Sequence, residues 1–160
     1  MFKHIAVALM IAGASHAAAA EYAEQEVSVR YIINYADPHI DVKGLSLAHY
    51  LHADPLVFKT EAGVLSSAGN FTGFIFGGAG VQPTYGPIFV YFIQSVGLVN
   101  NPDGSYLSGN FQFSEDVGVG FRDKNNNTSI GLGFKHISNA GIVAPNNGRD
   151  LLNLEIRLPL

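Results

Sequence analysis

Asp150-Leu151-Leu152-Asn153-Leu154-Glu155-Ile156-Arg157-Leu158-Pro159-Leu160 ends the sequence and decides its class. Leucine and isoleucine occupy even positions 152 to 160, while Asn153, Glu155, Arg157 and Pro159 occupy the odd ones. Side chains alternate between faces along a strand, so this is a strand with one apolar and one polar face. It meets the length of about 9–11 residues that a tilted transmembrane strand needs. Parity alone does not say which face looks outward. A water-soluble barrel turns its apolar row inward, and a membrane barrel turns it to lipid.

The same alternation recurs upstream. Thr128 to Ser138 carries Ile130, Leu132, Phe134, His136 and Ser138 on even positions, after a turn at Lys124-Asn125-Asn126-Asn127. At the other end, Val27, Val29, Tyr31, Ile33 and Tyr35 share one parity until Asp37-Pro38 breaks the pattern. Between them, strands are expected over 45–51, 56–65, 71–80, 87–99 and 106–121. The last of these has an expected interruption near Glu115-Asp116, and a turn precedes it at Asn100-Asn101-Pro102-Asp103-Gly104. Eight strands make the smallest common outer-membrane barrel. The expected fold is therefore all-β, an eight-stranded antiparallel transmembrane β-barrel in which the last strand pairs with the first.

Composition agrees. Charged residues are 14 % of the 160, against about 25 % in soluble domains. Eighteen glycines and eleven phenylalanines favour strands and tight turns. The net charge is −4 without a basic run, which argues against a nucleic-acid partner. Without cysteine there are neither disulfides nor thiolate metal sites. Met1-Phe2-Lys3-His4, the apolar run Ile5 to Ala14 and the small residues 15–20 read as a signal peptide cleaved before Glu21. That leaves 21–160 as one barrel domain. The apolar run is too short for a transmembrane helix.

Three residue types suited to acid–base–nucleophile chemistry share one face. Set antiparallel with Asp150 opposite His136, the last two strands place Leu152 opposite Phe134, Leu154 opposite Leu132 and Ile156 opposite Ile130. Directly opposed Cβ atoms lie about 4.5–5.5 Å apart, close enough for a carboxylate to orient an imidazole. Ser138 stands two residues further along the same face, about 6–7 Å away, a gap a histidine side chain can bridge. Polar groups on a lipid-facing wall are costly and are usually functional. His49 and His52 have opposite parity and do not converge on a metal. His39, after Pro38, reads as solvated. Phe74-Ile75-Phe76-Gly77-Gly78-Ala79-Gly80 lacks the lysine and helix of a phosphate loop.

The wider segment Phe134-Lys135-His136-Ile137-Ser138-Asn139-Ala140-Gly141, then Pro145-Asn146-Asn147-Gly148 and Asp150, resembles the lipid A 3-O-deacylase family. Phe111-Gln112-Phe113-Ser114-Glu115-Asp116-Val117-Gly118-Val119-Gly120 is similar to the family's sixth-strand region. The specific likeness covers about the last third of the chain. It implies an outer-membrane serine esterase that removes the 3-hydroxyacyl chain from position 3 of lipid A, the lipopolysaccharide anchor. Ser138 would be the nucleophile, His136 the base and Asp150 the orienting acid. Asn139, Ala140, Gly141 and Asn146 would support the oxyanion. No metal or other cofactor is implied, and self-association as a homodimer is left open. The family usually has glutamate where this chain has Asp150, whose carboxylate reaches about 1.5 Å less far. Two rival readings are a non-catalytic small outer-membrane barrel, structural or adhesive, and a soluble lipid-binding barrel with its apolar face inward.

Overall fold

The computed structural model describes residues 24–35, 41–100, 107–144 and 146–160. The expected signal segment, His39 and the turn residues 37–38 and 101–104 lie outside the described residues. Nine strands run in order: β1 (Glu24–Asn34), β2 (Val42–Ala53), β3 (Leu56–Ser67), β4 (Asn70–Val81), β5 (Thr84–Tyr85), β6 (Ile88–Asn100), β7 (Phe111–Arg122), β8 (Ser129–Ser138) and β9 (Arg149–Pro159). Eight of them are long. The two-residue β5 only folds back on the start of β6 and carries no wall.

Every pairing is antiparallel between sequence neighbours, and two further pairings complete the wall. β4 pairs with β6, with Ile75 opposite Leu98, and β1 pairs with β9, with Val29 opposite Ile156. The result is a closed eight-stranded barrel, which leaves no unpaired edge. β7 runs unbroken through Glu115 and Asp116, contrary to the expected interruption. Consecutive acids read as a break because one of them must face the apolar side. In the barrel Glu115 takes the outer face and Asp116 the inner one.

Exposure decides the question that parity left open. Leu132 and Leu154 are 54 % and 49 % exposed, whereas Asn153, Glu155 and Arg157 are fully buried. The apolar rows of all eight walls look outward and the polar rows look into the lumen. That is the arrangement of a barrel whose solvent is lipid. It overturns the reading of a soluble barrel with an apolar interior.

The lumen is packed in three layers. At its middle, Arg30 bonds Glu61, Asp116 and Glu155 at 3.0, 3.2 and 3.1 Å. Lys59 bonds Glu61 and Asp116 at 2.8 and 2.6 Å, and Lys135 joins the same two acids. Buried charges of this kind persist only when paired, and here each finds opposite partners from distant strands. Towards the β8–β9 loop an apolar layer closes the lumen, with Ile32, Phe74, Phe76, Ile137 and Leu151 among its members. Towards the opposite end stand Tyr50, Phe89 and Tyr91, with the Arg157 guanidinium over their rings. Gly118 and Gly133 make room for Tyr91, because a Cβ at either position would meet its phenol. The lumen is thus filled, and the accessible chemistry lies on the outer wall.

Candidate active site on the outer wall

β8 and β9 pair in the register expected from their apolar rows. His136 lies opposite Asp150, Phe134 opposite Leu152, Leu132 opposite Leu154 and Ile130 opposite Ile156. A slip of one residue would turn the apolar row of the shifted strand into the charged lumen, so the pattern fixes the register firmly. His136 Nδ1 and Asp150 Oδ1 are 2.6 Å apart, a short charge-assisted contact. The shorter aspartate arm therefore reaches the ring from the directly opposed position. Both side chains are a little over one-third exposed, at 39 % and 38 %, so they are open to whatever surrounds the wall.

Ser138 follows His136 on the same outward face, at the last position of β8, and is half-buried. Its Oγ makes no hydrogen bond to His136 among the described residues. Catalytic hydrogen bonds are commonly long without substrate and tighten in the complex. Around the trio stand Phe113, opposite Ser138 on β7, and Tyr35, edge-on to Phe134 at 6.4 Å. The Tyr35 N–H donates to the Asp150 carbonyl at 3.1 Å, which ties the end of β1 to the start of β9 beside the site.

The loop after Ser138 is built by Asn139, which is buried. Its Nδ2 donates to the carbonyls of Ser108 and Val143, both at 2.7 Å, and its Oδ1 accepts the Gly141 N–H at 2.9 Å. Its own N–H donates to Asn146 Oδ1 at 3.2 Å. Asn139 therefore organises the loop, and neither its amide nor the Gly141 N–H is left to meet a substrate. Asn146 is exposed, and accepting through Oδ1 leaves its Nδ2 as a donor. The chain turns at Ala140 and Gly141, both with positive φ, and returns through Gly148 at φ +65°. A Cβ on Gly148 would stand 3.0 Å from His136 Cε1 and 3.5 Å from Nε2, so this glycine seats the imidazole.

The family model for lipid A 3-O-deacylase matches residues 23–159. The chain belongs to the lipid A 3-O-deacylase family. The solved structure of the outer membrane enzyme PagL is similar at 18 % identity and a TM-score of 0.61, covering 84 % of this chain and 99 % of that one. Neisserial surface protein A (NspA) is similar at 11 % identity and a TM-score of 0.62, covering 86 % and 97 %. Both show the same barrel architecture. Among curated proteins there is no significant match. Family membership makes this chain a lipid A deacylase of the outer membrane.

Two residues beside the His136–Asp150 pair have placements that the sequence does not announce. Gly148 looks like one more loop glycine until its φ and the imidazole beside it are seen. Glu115 looks like half of an acidic pair, yet it faces outward on β7 directly opposite His136. Only the β7–β8 register could have marked it. The other two histidines among the described residues stand apart from the site. His49 faces outward and bonds Gln25 at 3.1 Å, while His52 faces inward and bonds Glu26 at 2.8 Å. Among the described residues no cluster of histidines and acids could hold a metal ion.

Proposed function

We propose that this deacylase works as a serine esterase on the outer surface of its barrel, with His136, Ser138 and Asp150 as the triad. The observation that carries the reading is the 2.6 Å His136–Asp150 contact on a lipid-facing wall, with a serine next on the same face. A carboxylate accepts, so the proton of this contact sits on Nδ1 and the Nε2 lone pair is left for the serine proton.

The steps follow. Ser138 Oγ attacks the ester carbonyl of the 3-hydroxyacyl chain as its proton passes to His136 Nε2. Asp150 stabilises the resulting imidazolium. Asn146 Nδ2 and the Ala140 N–H, which has no acceptor among the described residues, are the donors best suited to the developing oxyanion. Collapse breaks the bond to the sugar oxygen, which leaves with the Nε2 proton. A water then gives its proton to Nε2 as it attacks the acyl-serine, and that proton returns to Ser138 Oγ as the acyl–Oγ bond breaks and the free 3-hydroxy fatty acid leaves. The balance closes without a cofactor.

Topology supports a substrate in the outer leaflet. The site end carries the connections 35–41, 68–69, 101–110 and 139–148, three of them longer than any at the opposite end, which carries 54–55, 82–87 and 123–128. Outer-membrane barrels put short turns in the periplasm and longer loops outside. A lipid can then reach the wall laterally, without entering the filled lumen. Export by a signal peptide at 1–20 completes the proposal, and the mature protein should begin at Glu21 by intact mass.

The test is mass spectrometry of lipid A from cells expressing the protein. Loss of one 3-hydroxyacyl chain, abolished by Ser138→Ala, supports the reading. Unchanged lipid A with folded protein in the membrane overturns it.

A further inference from the structure

The outer wall carries a second polar feature that the triad does not use. Gln94 on β6, Glu115 on β7, His136 on β8 and Asp150 on β9 stand side by side in one row across four strands. The rows flanking Gln94 and Glu115 are apolar, with Val96 and Phe113 on the loop side and Phe92 and Val117 on the other. Both side chains are exposed, on a face that otherwise meets acyl chains. Gln94 Nε2 donates weakly to Glu115 Oε1 at 3.4 Å. Among the described residues no cation pairs with Glu115, which leaves its second oxygen as a free acceptor. An unpaired carboxylate on a lipid wall is costly unless something supplies it with a donor.

Depth in the membrane identifies that donor. Ser138 lies one residue pair nearer the loop end than the Gln94–Glu115–His136 row, about 6–7 Å along the strand. An ester held at Ser138 has its sugar on the loop side. Its acyl chain therefore runs past the row on its way into the bilayer. Glu115 is the diagonal neighbour of Ser138, and such pairs lie about 7–8 Å apart, within reach of a long side chain. A hydroxyl on the acyl chain two carbons beyond the ester carbonyl falls between the two levels. The amide N–H and hydroxyl groups of the sugar fall on the far side of Ser138, and a phosphate would be repelled.

We infer that Glu115, steadied by Gln94, is a specificity residue that accepts a hydrogen bond from the 3-hydroxyl of the acyl chain being removed. The inference rests on the serine-esterase reading of Ser138. Its contribution is to choose between acyl chains and to hold the correct one beside the nucleophile.

The experiment compares kcat/KM for two lipid A substrates in detergent micelles. They are identical except that the position-3 chain is either 3-hydroxylated or plain. A hydrogen bond to a charged acceptor corresponds to a preference of about 10- to 100-fold for the hydroxylated chain. Glu115→Leu should collapse that ratio towards one, whatever it does to the absolute rate on the plain substrate. Glu115→Gln, which keeps an uncharged acceptor, should fall between. Any loss of folded protein lowers both substrates alike and cancels in the ratio. A ratio unchanged in Glu115→Leu, with Ser138→Ala inactive, overturns this inference alone. Full activity of Ser138→Ala overturns the esterase reading beneath it.

Discussion

Asp150→Asn removes the charge beside His136 while keeping shape and a hydrogen-bonding atom. Taking about 4 Å between the centres of the carboxylate and the imidazolium, Coulomb's law gives about 1 kcal/mol in water and about 4 kcal/mol at an effective dielectric constant of 20. Both side chains are a little over one-third exposed, so the site lies between these limits. An interaction of about 2–3 kcal/mol corresponds to a loss of about 30- to 150-fold in kcat. Asparagine can also present its NH2 to Nδ1, which favours the wrong tautomer and deepens the loss. Asp150→Glu should keep substantial activity, because it keeps a carboxylate to accept from Nδ1. The assay is release of 3-hydroxy fatty acid from lipid A in micelles, normalised to the folded fraction by heat-modifiable gel mobility. A kcat for Asp150→Asn within about threefold of the parent would refute the argument that the 2.6 Å contact acts on the transition state.

Other consequences follow from the same geometry. Gly148→Ala puts a methyl group against His136 Cε1 at a backbone position with φ +65°. Activity should fall about 10- to 100-fold through ring displacement, with the urea midpoint nearly unchanged, and parent-like activity would show that the ring is seated otherwise. Glu61→Gln strips a shared partner from Arg30, Lys59 and Lys135. Urea titration in micelles should show a loss of about 3–5 kcal/mol, partly restored by adding Lys59→Met, and no loss would mean that the buried cluster is not paired as described. Leu154→Arg places a cation on the lipid face at mid-strand and should cost about 2–4 kcal/mol in a bilayer. Full stability of that variant in vesicles would contradict the outward apolar wall.

Much of this was legible in the chain because one face of each strand is nearly uniform. The even row Leu152 to Leu160 and the matching row Ile130 to Phe134 admit a single apolar-on-apolar register, and that register carries His136 to Asp150. Parity did not say which face meets solvent, since Leu154 outward and Leu154 inward give the same alternation; strand length and the low share of charged residues pointed to lipid. The closed wall, with Arg30, Glu61, Asp116 and Glu155 brought together from four strands inside it, bears that out. Those partners are 31 to 125 residues apart in sequence, so no local pattern announces them. The family resemblance offers Asn139 as an oxyanion donor. Its three side-chain bonds, to Ser108, Val143 and Gly141, show a residue occupied in holding the loop. Glu115 was hidden for a related reason, since its meaning depends on β7 lying beside β8.

Rapid quenching of the purified protein with lipid A, followed by peptide mass mapping, tests the central claim most directly. The account predicts a 3-hydroxyacyl mass on the peptide containing Ser138, absent in Ser138→Ala. A covalent acyl group on another residue, or undiminished turnover in the Ser138→Ala protein, would contradict it.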